Sequence, residues 1–169
     1  MRTTHKKIDS PVGELTLVAT DGTLSGIYFP GHWTLPDPSG FGPRTETGFE
    51  EAERQLAEYF AGDRTVFELE TGAVGDGFQR QVWDRLERIP FGETTTYGEI
   101  AAELGDPNLA RAVGTAVGRN PISVIVPCHR VLGKGGKLTG YAGGLDRKRF
   151  LLELEAPDGV LEGAGPTLF

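Results

Sequence analysis

The sequence predicts an α+β protein. A small N-terminal lobe, residues 1–70, combines an antiparallel sheet with a helix. A mostly helical C-terminal lobe, residues 78–155, carries a helix-turn-helix and a short strand or loop bearing a Pro-Cys-His-Arg motif. Three observations predict this. Two-residue alternation of polar and apolar side chains is confined to the beginning of the chain, helical spacing dominates from Phe78 onward, and the glycine-rich stretch Thr71 to Gly77 separates the two regimes as a linker. At 169 residues the chain is long enough for one core or for two small lobes.

The elements follow in order. Glu14 to Thr20 alternates, with Leu15, Leu17 and Ala19 on one face; Asp21-Gly22 then separates it from Thr23 to Phe29, a hairpin signal. Lys6 to Asp9 is a third candidate strand. Gly31 to Gly48 holds three prolines and four glycines without a period and is expected to be loop; Trp33 within it is expected to pack. Thr47 and Glu50 have capping-box spacing ahead of a helix with Phe49, Ala52, Leu56, Tyr59 and Phe60 at helical spacing. Phe67 and Leu69 suit one more short strand.

In the second lobe, Phe78, Val82, Leu86 and Ile89 share a helical face, with Trp83 beside it as core. Thr96 caps a short helix, with Glu99 at the capping-box position. Asp106-Pro107 opens the next helix, whose inner stripe is Ala110, Val113 and Val117. This pair reads as a helix-turn-helix. Its second helix has small side chains at Ala110, Ala112, Gly114, Thr115 and Ala116, and Arg111 is the long charged group of its first turns. A last helix, Leu145 to Glu155, is expected to turn its leucines inward and Arg147, Lys148 and Arg149 to solvent. Residues 156–169 are expected to form a loose tail.

Composition excludes several function classes. The formal net charge of -7 taken alone argues against a nucleic-acid partner, but the average hides a split. Residues 1–106 hold 9 Lys/Arg against 19 Asp/Glu, whereas residues 107–150 hold 8 Lys/Arg against Asp146 alone, a local net of +7. A basic face for a polyanion is therefore expected on the second lobe. One Cys excludes an internal disulfide and a multi-cysteine zinc site, and His5, His32 and His129 are scattered. No stretch approaches the ~20 apolar residues that span a bilayer, and MRTTHKKIDS lacks the apolar middle of a signal peptide. A soluble, cytoplasmic, monomeric protein without metal or cofactor is expected.

The chemistry concentrates in Asn120 to Val131, NPISVIVPCHRV. An apolar run, Ile122 to Val126, reads as a strand that delivers Cys128 beside His129, with Arg130 following. A thiol gains nucleophilicity from a cation or base nearby; an inert buried Cys is the alternative. Adjacent residues of an extended segment point opposite ways, so Pro127 is expected to bend the chain and a water to relay between Cys128 and His129. Glu155, at the end of a helix turned inward by its leucines, is the candidate orienting partner of the imidazole. Asn120 before Pro121 is placed to organise the bend through side-chain to backbone bonds.

The run PCHRV, preceded by RAVGTAVGRNP and followed by GKLTGYAGGLDRKRFLLELE, resembles the methylated-DNA–protein-cysteine S-methyltransferases, which remove alkyl groups from 6-O-alkylguanine in DNA. The resemblance is strong from Phe78 to Glu155 and looser over residues 1–70. It implies a stoichiometric, single-turnover transfer to Cys128, with His129 as water-mediated base, Glu155 as its partner and Asn120 near the thiol. It implies that Tyr97 donates to a ring nitrogen of the leaving guanine, and that Val131, Tyr141 and Ala142 help form the base pocket. The family often has Ser at the position of Ala142. Some relatives hold a structural zinc through Cys and His of the first lobe; with no Cys there, none is expected.

The resemblance also implies base flipping, with Arg111 filling the gap and the second helix of the pair lying in the minor groove, where Ala110, Gly114 and Thr115 suit a narrow space. Arg119, Arg130, Arg147, Lys148 and Arg149 are candidate DNA contacts by charge. Competing readings are a sensor of the same fold that binds alkylated bases without repair, a cysteine hydrolase using Cys, His and Glu, and a plain DNA-binding regulator.

Overall fold

A computed structural model describes residues 2–157. These fall into two compact units, residues 2–74 with Pro121–Ile125, and Gly75–Asn120 with 126–157.

The first unit is built on a three-stranded antiparallel sheet, β1 (Thr3–Ile8), β2 (Leu15–Thr20) and β3 (Thr23–Tyr28), in that order across the sheet. Asp21 and Gly22 both take positive φ, 51° and 83°. A two-residue turn of that kind matches the twist of the strands it joins, which is why Asp-Gly encodes it. A bulge between Val18 and Ala19 shifts the β2–β3 register. The third strand is β1, longer than Lys6 to Asp9 alone, and it also bridges Arg44 through His5. Helix α1 (Glu50–Phe60) buries Ala52, Leu56 and Tyr59. Leu15, Leu17, Ile27, Phe29, Leu56 and Tyr59 form the centre of the buried set.

Several expectations for this unit need correction. Thr47 does not cap α1; Phe49 occupies the cap position without a side-chain bond, and the Glu50 carboxylate accepts from the Gly48 N–H instead. Phe67 and Leu69 lie outside any strand, although Gln55 holds this segment by exchanging bonds with the Glu68 backbone. The loop 31–48 contains a 3-10 turn at Pro38–Phe41, and Trp33 is 71% exposed rather than packed. The run Ile122 to Val126 is not a strand. Val124 takes φ 73°, a left-handed conformation that a β-branched residue rarely adopts and that reverses an extended chain. Only Ile122 keeps a sheet-like contact, a parallel bridge to Ile27, and the Ile27 N–H donates to the Pro121 carbonyl at 2.9 Å.

The second unit is mainly helical. Asp76 and Gln79 form a reciprocal capping box at the start of α2 (Gly77–Glu87). The short strand β4 (Thr95–Thr96) runs into α3 (Tyr97–Glu103), which Thr96 caps through the Glu99 N–H. The Glu99 carboxylate does not complete a box: it accepts from the Thr95 hydroxyl at 2.7 Å. After α3, Asp106 caps a 3-10 turn at Pro107–Leu109 that continues into α4 (Ala110–Gly118). Helix α4 packs on α3 and on α2, and the Trp83 indole N–H donates to the Ala116 carbonyl at 2.8 Å. The pair α3–α4 is the expected helix-turn-helix. Strand β5 (Val131–Leu132) pairs with β4 in parallel, and α5 (Leu145–Glu155) packs against the turn that holds Cys128. Val82, Leu86, Ile100, Val113, Val131, Leu151 and Leu152 are among the buried apolar residues of this unit.

Candidate active site

The site is assembled within the second unit. Cys128, His129 and Arg130 form a single 3-10 turn after Pro127, so the bend that separates the thiol from its neighbours is helical rather than extended. Asn120, 2% exposed at the end of α4, donates from Nδ2 to the Val126 carbonyl at 2.8 Å and thereby fixes the approach to the turn. Strand β5 begins at the next residue, Val131, and ties the turn to the segment that carries Tyr97.

His129 and Glu155 are brought together, with Nε2 to Oε2 at 2.7 Å. Arg130 completes this arrangement. Its Nε and Nη2 donate to the two carboxylate oxygens of Glu155 at 2.7 and 2.9 Å, and its Nη1 donates to the Ile89 carbonyl at 2.6 Å. Burial pushes the Glu155 carboxyl up, but the charge and hydrogen bonding of His129 and Arg130 outweigh it and hold the group well below the usual carboxylate range. Burial dominates at His129 and lowers its pKa, against the raising effect of Glu155. The imidazole is therefore neutral. An ionised carboxylate only accepts, so Nε2 carries the hydrogen and Nδ1 keeps its lone pair. That nitrogen is buried and has no protein partner among the described residues.

Cys128 is 4% exposed. Burial raises its pKa, while hydrogen bonding from Asn120, the charge of Lys148 and hydrogen bonding from Tyr141 act the other way. The resting group is a thiol, so it needs a proton acceptor before it attacks.

Lys148 is the functional residue that the sequence reading misplaced. It is fully buried rather than turned to solvent. Its ammonium donates to the Thr139 and Gly140 carbonyls at 2.7 and 3.2 Å and lies 5.8 Å from the Tyr97 ring centroid. Burial lowers its pKa to about 8 although the Cys128 charge raises it. Periodicity held the signal: Lys148 precedes Leu151, Leu152 and Glu155 by three, four and seven residues, which is the buried face of α5. Arg130 requires the opposite correction to its place among DNA contacts: its guanidinium is buried and engaged with Glu155 and Ile89. Arg147 is anchored by the Gly143 carbonyl at 3.0 Å.

Tyr97, at the start of α3, donates from its hydroxyl to the Gly140 carbonyl at 3.4 Å. Burial chiefly raises its pKa, so it retains its proton at neutral pH. Val131, Tyr141 and Ala142 are all buried. Ala110, Arg111, Gly114 and Thr115 line a cleft of roughly 860 Å³ together with Tyr97 and Lys134. Arg119 is exposed at the end of α4 and is not part of that cleft. Among the described residues no cluster of three or more His, Cys, Asp or Glu is arranged to hold a metal.

Chemically, this is a single thiol beside a neutral imidazole oriented by a carboxylate, with a buried ammonium and a protonated phenol nearby. The family model of the 6-O-methylguanine DNA methyltransferase DNA-binding domain matches residues 77–157, and that of the same family's ribonuclease-like domain matches residues 4–72. A methylated-DNA–protein-cysteine methyltransferase of Mycolicibacterium paratuberculosis is 50% identical over 153 residues, covering 89% of this chain and 91% of its own. One from Methanosarcina acetivorans is 49% identical over 148 residues, covering 87% and 94%. Among solved structures, the Mycobacterium tuberculosis OGT in complex with DNA superimposes with a TM-score of 0.84 at 48% identity, covering 91% of this chain and 93% of that one. Two domain matches in the expected order, and relatives alike over nearly their full length, carry one conclusion: this chain belongs to the methylated-DNA–protein-cysteine methyltransferase family.

Proposed function

We propose that the protein repairs DNA directly, by transferring the alkyl group of 6-O-alkylguanine irreversibly to Cys128. Family membership supports the reaction, and one observation about this chain carries the reading. Its single cysteine follows Asn120 and adjoins His129, whose far nitrogen is fixed by Glu155 at 2.7 Å.

His129 Nδ1 takes the thiol proton through a water. The sulfur then attacks the alkyl carbon in line with the carbon–oxygen bond; a carbon–sulfur bond forms as that bond breaks, and its electron pair passes to guanine. Tyr97 donates to a ring nitrogen as charge develops there. Lys148, a buried cation whose charge favours the thiolate form of Cys128, supports it. Glu155, pinned by Arg130, keeps the imidazole in the tautomer that accepts. The thioether has no route back, so each molecule acts once.

The DNA-binding role rests on the matched DNA-binding domain and on the helix pair. The target oxygen lies inside a base pair, so the nucleotide must leave the stack. Arg111 is exposed at the start of α4 on the cleft that Tyr97 also lines, which suits it to fill the gap. The small surface of Ala110, Gly114 and Thr115 favours docking of α4 in the minor groove.

The test is incubation with duplex DNA carrying labelled 6-O-methylguanine, followed by peptide mapping. One label per protein on the peptide containing Cys128, and none with C128A, is expected. Repeated turnover, or label left on DNA by the wild type, would overturn the reading.

A further inference from the structure

We infer that Lys134 is a second DNA-positioning residue, contacting a backbone phosphate of the extruded nucleotide's strand from the cleft that it lines together with Arg111; this rests on the repair reading above. The cleft draws its lining from separate pieces of chain. Arg111 lies on the first turn of α4, whereas Lys134 and Gly135 come from the 3-10 turn Lys134–Gly136 that follows β5.

That turn is held by its backbone rather than by its side chains. The Gly133 N–H donates to the Lys137 carbonyl at 2.8 Å, and the Gly136 N–H to the Gly133 carbonyl at 3.0 Å. Gly135 and Gly136 take φ of 75° and 82°, which only glycine adopts without strain. The strand before the turn, β5, pairs with β4, which runs directly into Tyr97. Lys134 is thus placed in fixed register with the residue that addresses the leaving base, while its own side chain remains exposed.

The charges of the cleft favour this role. Arg111 and Lys134 are its cations, and neither pairs with a carboxylate among the described residues. Glu99 is its acid, and the Thr95 hydroxyl donates to that carboxylate at 2.7 Å. A lysine binds phosphate as a point charge, without reading sequence. Arg111 can occupy the vacated stack only while the strand is held away from it. A second cation in the same cleft, on a separate piece of chain, supplies that hold.

Each phosphate neutralised contributes about 0.9 to the slope of log affinity against log salt. Binding of a duplex oligonucleotide carrying 6-O-methylguanine is therefore measured across a salt series for wild type, K134A, K134R and K137A. K134A should flatten the slope by about 0.9, and K134R should restore it. A role confined to folding of the turn would leave the slope unchanged, and that result would overturn the inference. Equal flattening by K137A, on the same turn but outside the cleft, would also overturn it, because the effect would then belong to general surface charge. Label transfer to Cys128 by the wild type is scored in the same samples. Its failure would refute the repair reading, whereas the slopes answer for Lys134 alone.

Discussion

The charge state of the site follows from burial and pairing of individual groups. Glu155 is ionised because Arg130 and His129 hold it so, and His129 is neutral because burial excludes its proton. Substituting Glu155 by Ala leaves the Arg130 guanidinium without its counter-ion, which should cost about 3–5 kcal/mol and be read as a fall in denaturant midpoint together with a slower transfer to Cys128. The pH dependence has a definite sign. A histidine whose pKa is lowered on folding takes a proton more readily when unfolded, so stability falls as pH drops below the unfolded value of 6.5. A carboxylate with a lowered pKa adds a second loss as pH falls below 4.5. Denaturant titrations at a series of pH values should show stability declining from pH 7 to pH 5, before the bulk of the carboxylates titrate; a flat profile would contradict the neutral, buried His129. At this scale much was legible in the sequence. Cys128, His129, Glu155 and Asn120 could be named from one motif and one helix end. Lys148 was not, because two flanking arginines made the segment read as a solvated face, and Arg130 was misread because its acceptor lies 25 residues away.

Helix α4 is the element on which duplex recognition turns. It presents Arg111 to the cleft on a surface otherwise made of Ala110, Gly114 and Thr115, so the arginine should matter in proportion to how much flipping the substrate demands. R111A should slow repair of duplex DNA by at least tenfold while reaction with the free modified base changes far less. Equal losses on both substrates would remove the flipping role. Elements with a strong local signal were readable. The Asp21-Gly22 hairpin, the cap at Thr96 and the existence of α5 all follow from near-neighbour chemistry, although of the leucines expected to turn inward on α5 Leu151 and Leu152 are buried while Leu145 is 42% exposed. The apolar run before Cys128 was not readable, since its composition favours a strand while Val124 adopts φ 73°. A β-branched residue held in that region costs about 1–3 kcal/mol locally, and Val124 is buried there beside Ile122 and Ser123. The cap at Thr47 failed for the converse reason: an adequate pattern was present, but Phe49 takes the cap position and the Glu50 carboxylate accepts from the Gly48 N–H.

For the whole molecule, the reaction product is also a structural perturbation. The thiol of Cys128 lies among buried groups, with Asn120, Val131, Tyr141 and Lys148 all below one-tenth exposed. An added methylene-sized group in such packing typically costs about 1–3 kcal/mol. Methylated protein should therefore melt several degrees lower than unmodified protein, by roughly 4–8 °C per kcal/mol for a unit of this size; identical melting curves after stoichiometric modification would refute this. The two-part plan, and the basic stretch 107–150 within the second part, were visible in composition and periodicity. The path of the chain between the parts was not, because Pro121–Ile125 belongs with the sheet of the first unit although it lies in the middle of the second in sequence.

That excursion sets a limit on dissection. A gene fragment starting at the glycine-rich stretch and ending after Glu155 would encode every reacting group, yet it would strip Ile122, 0% exposed, of the strand that it bridges. The seam between the halves cannot be cut with a single pair of primers, and a stand-alone catalytic fragment would first need those five residues redesigned for water.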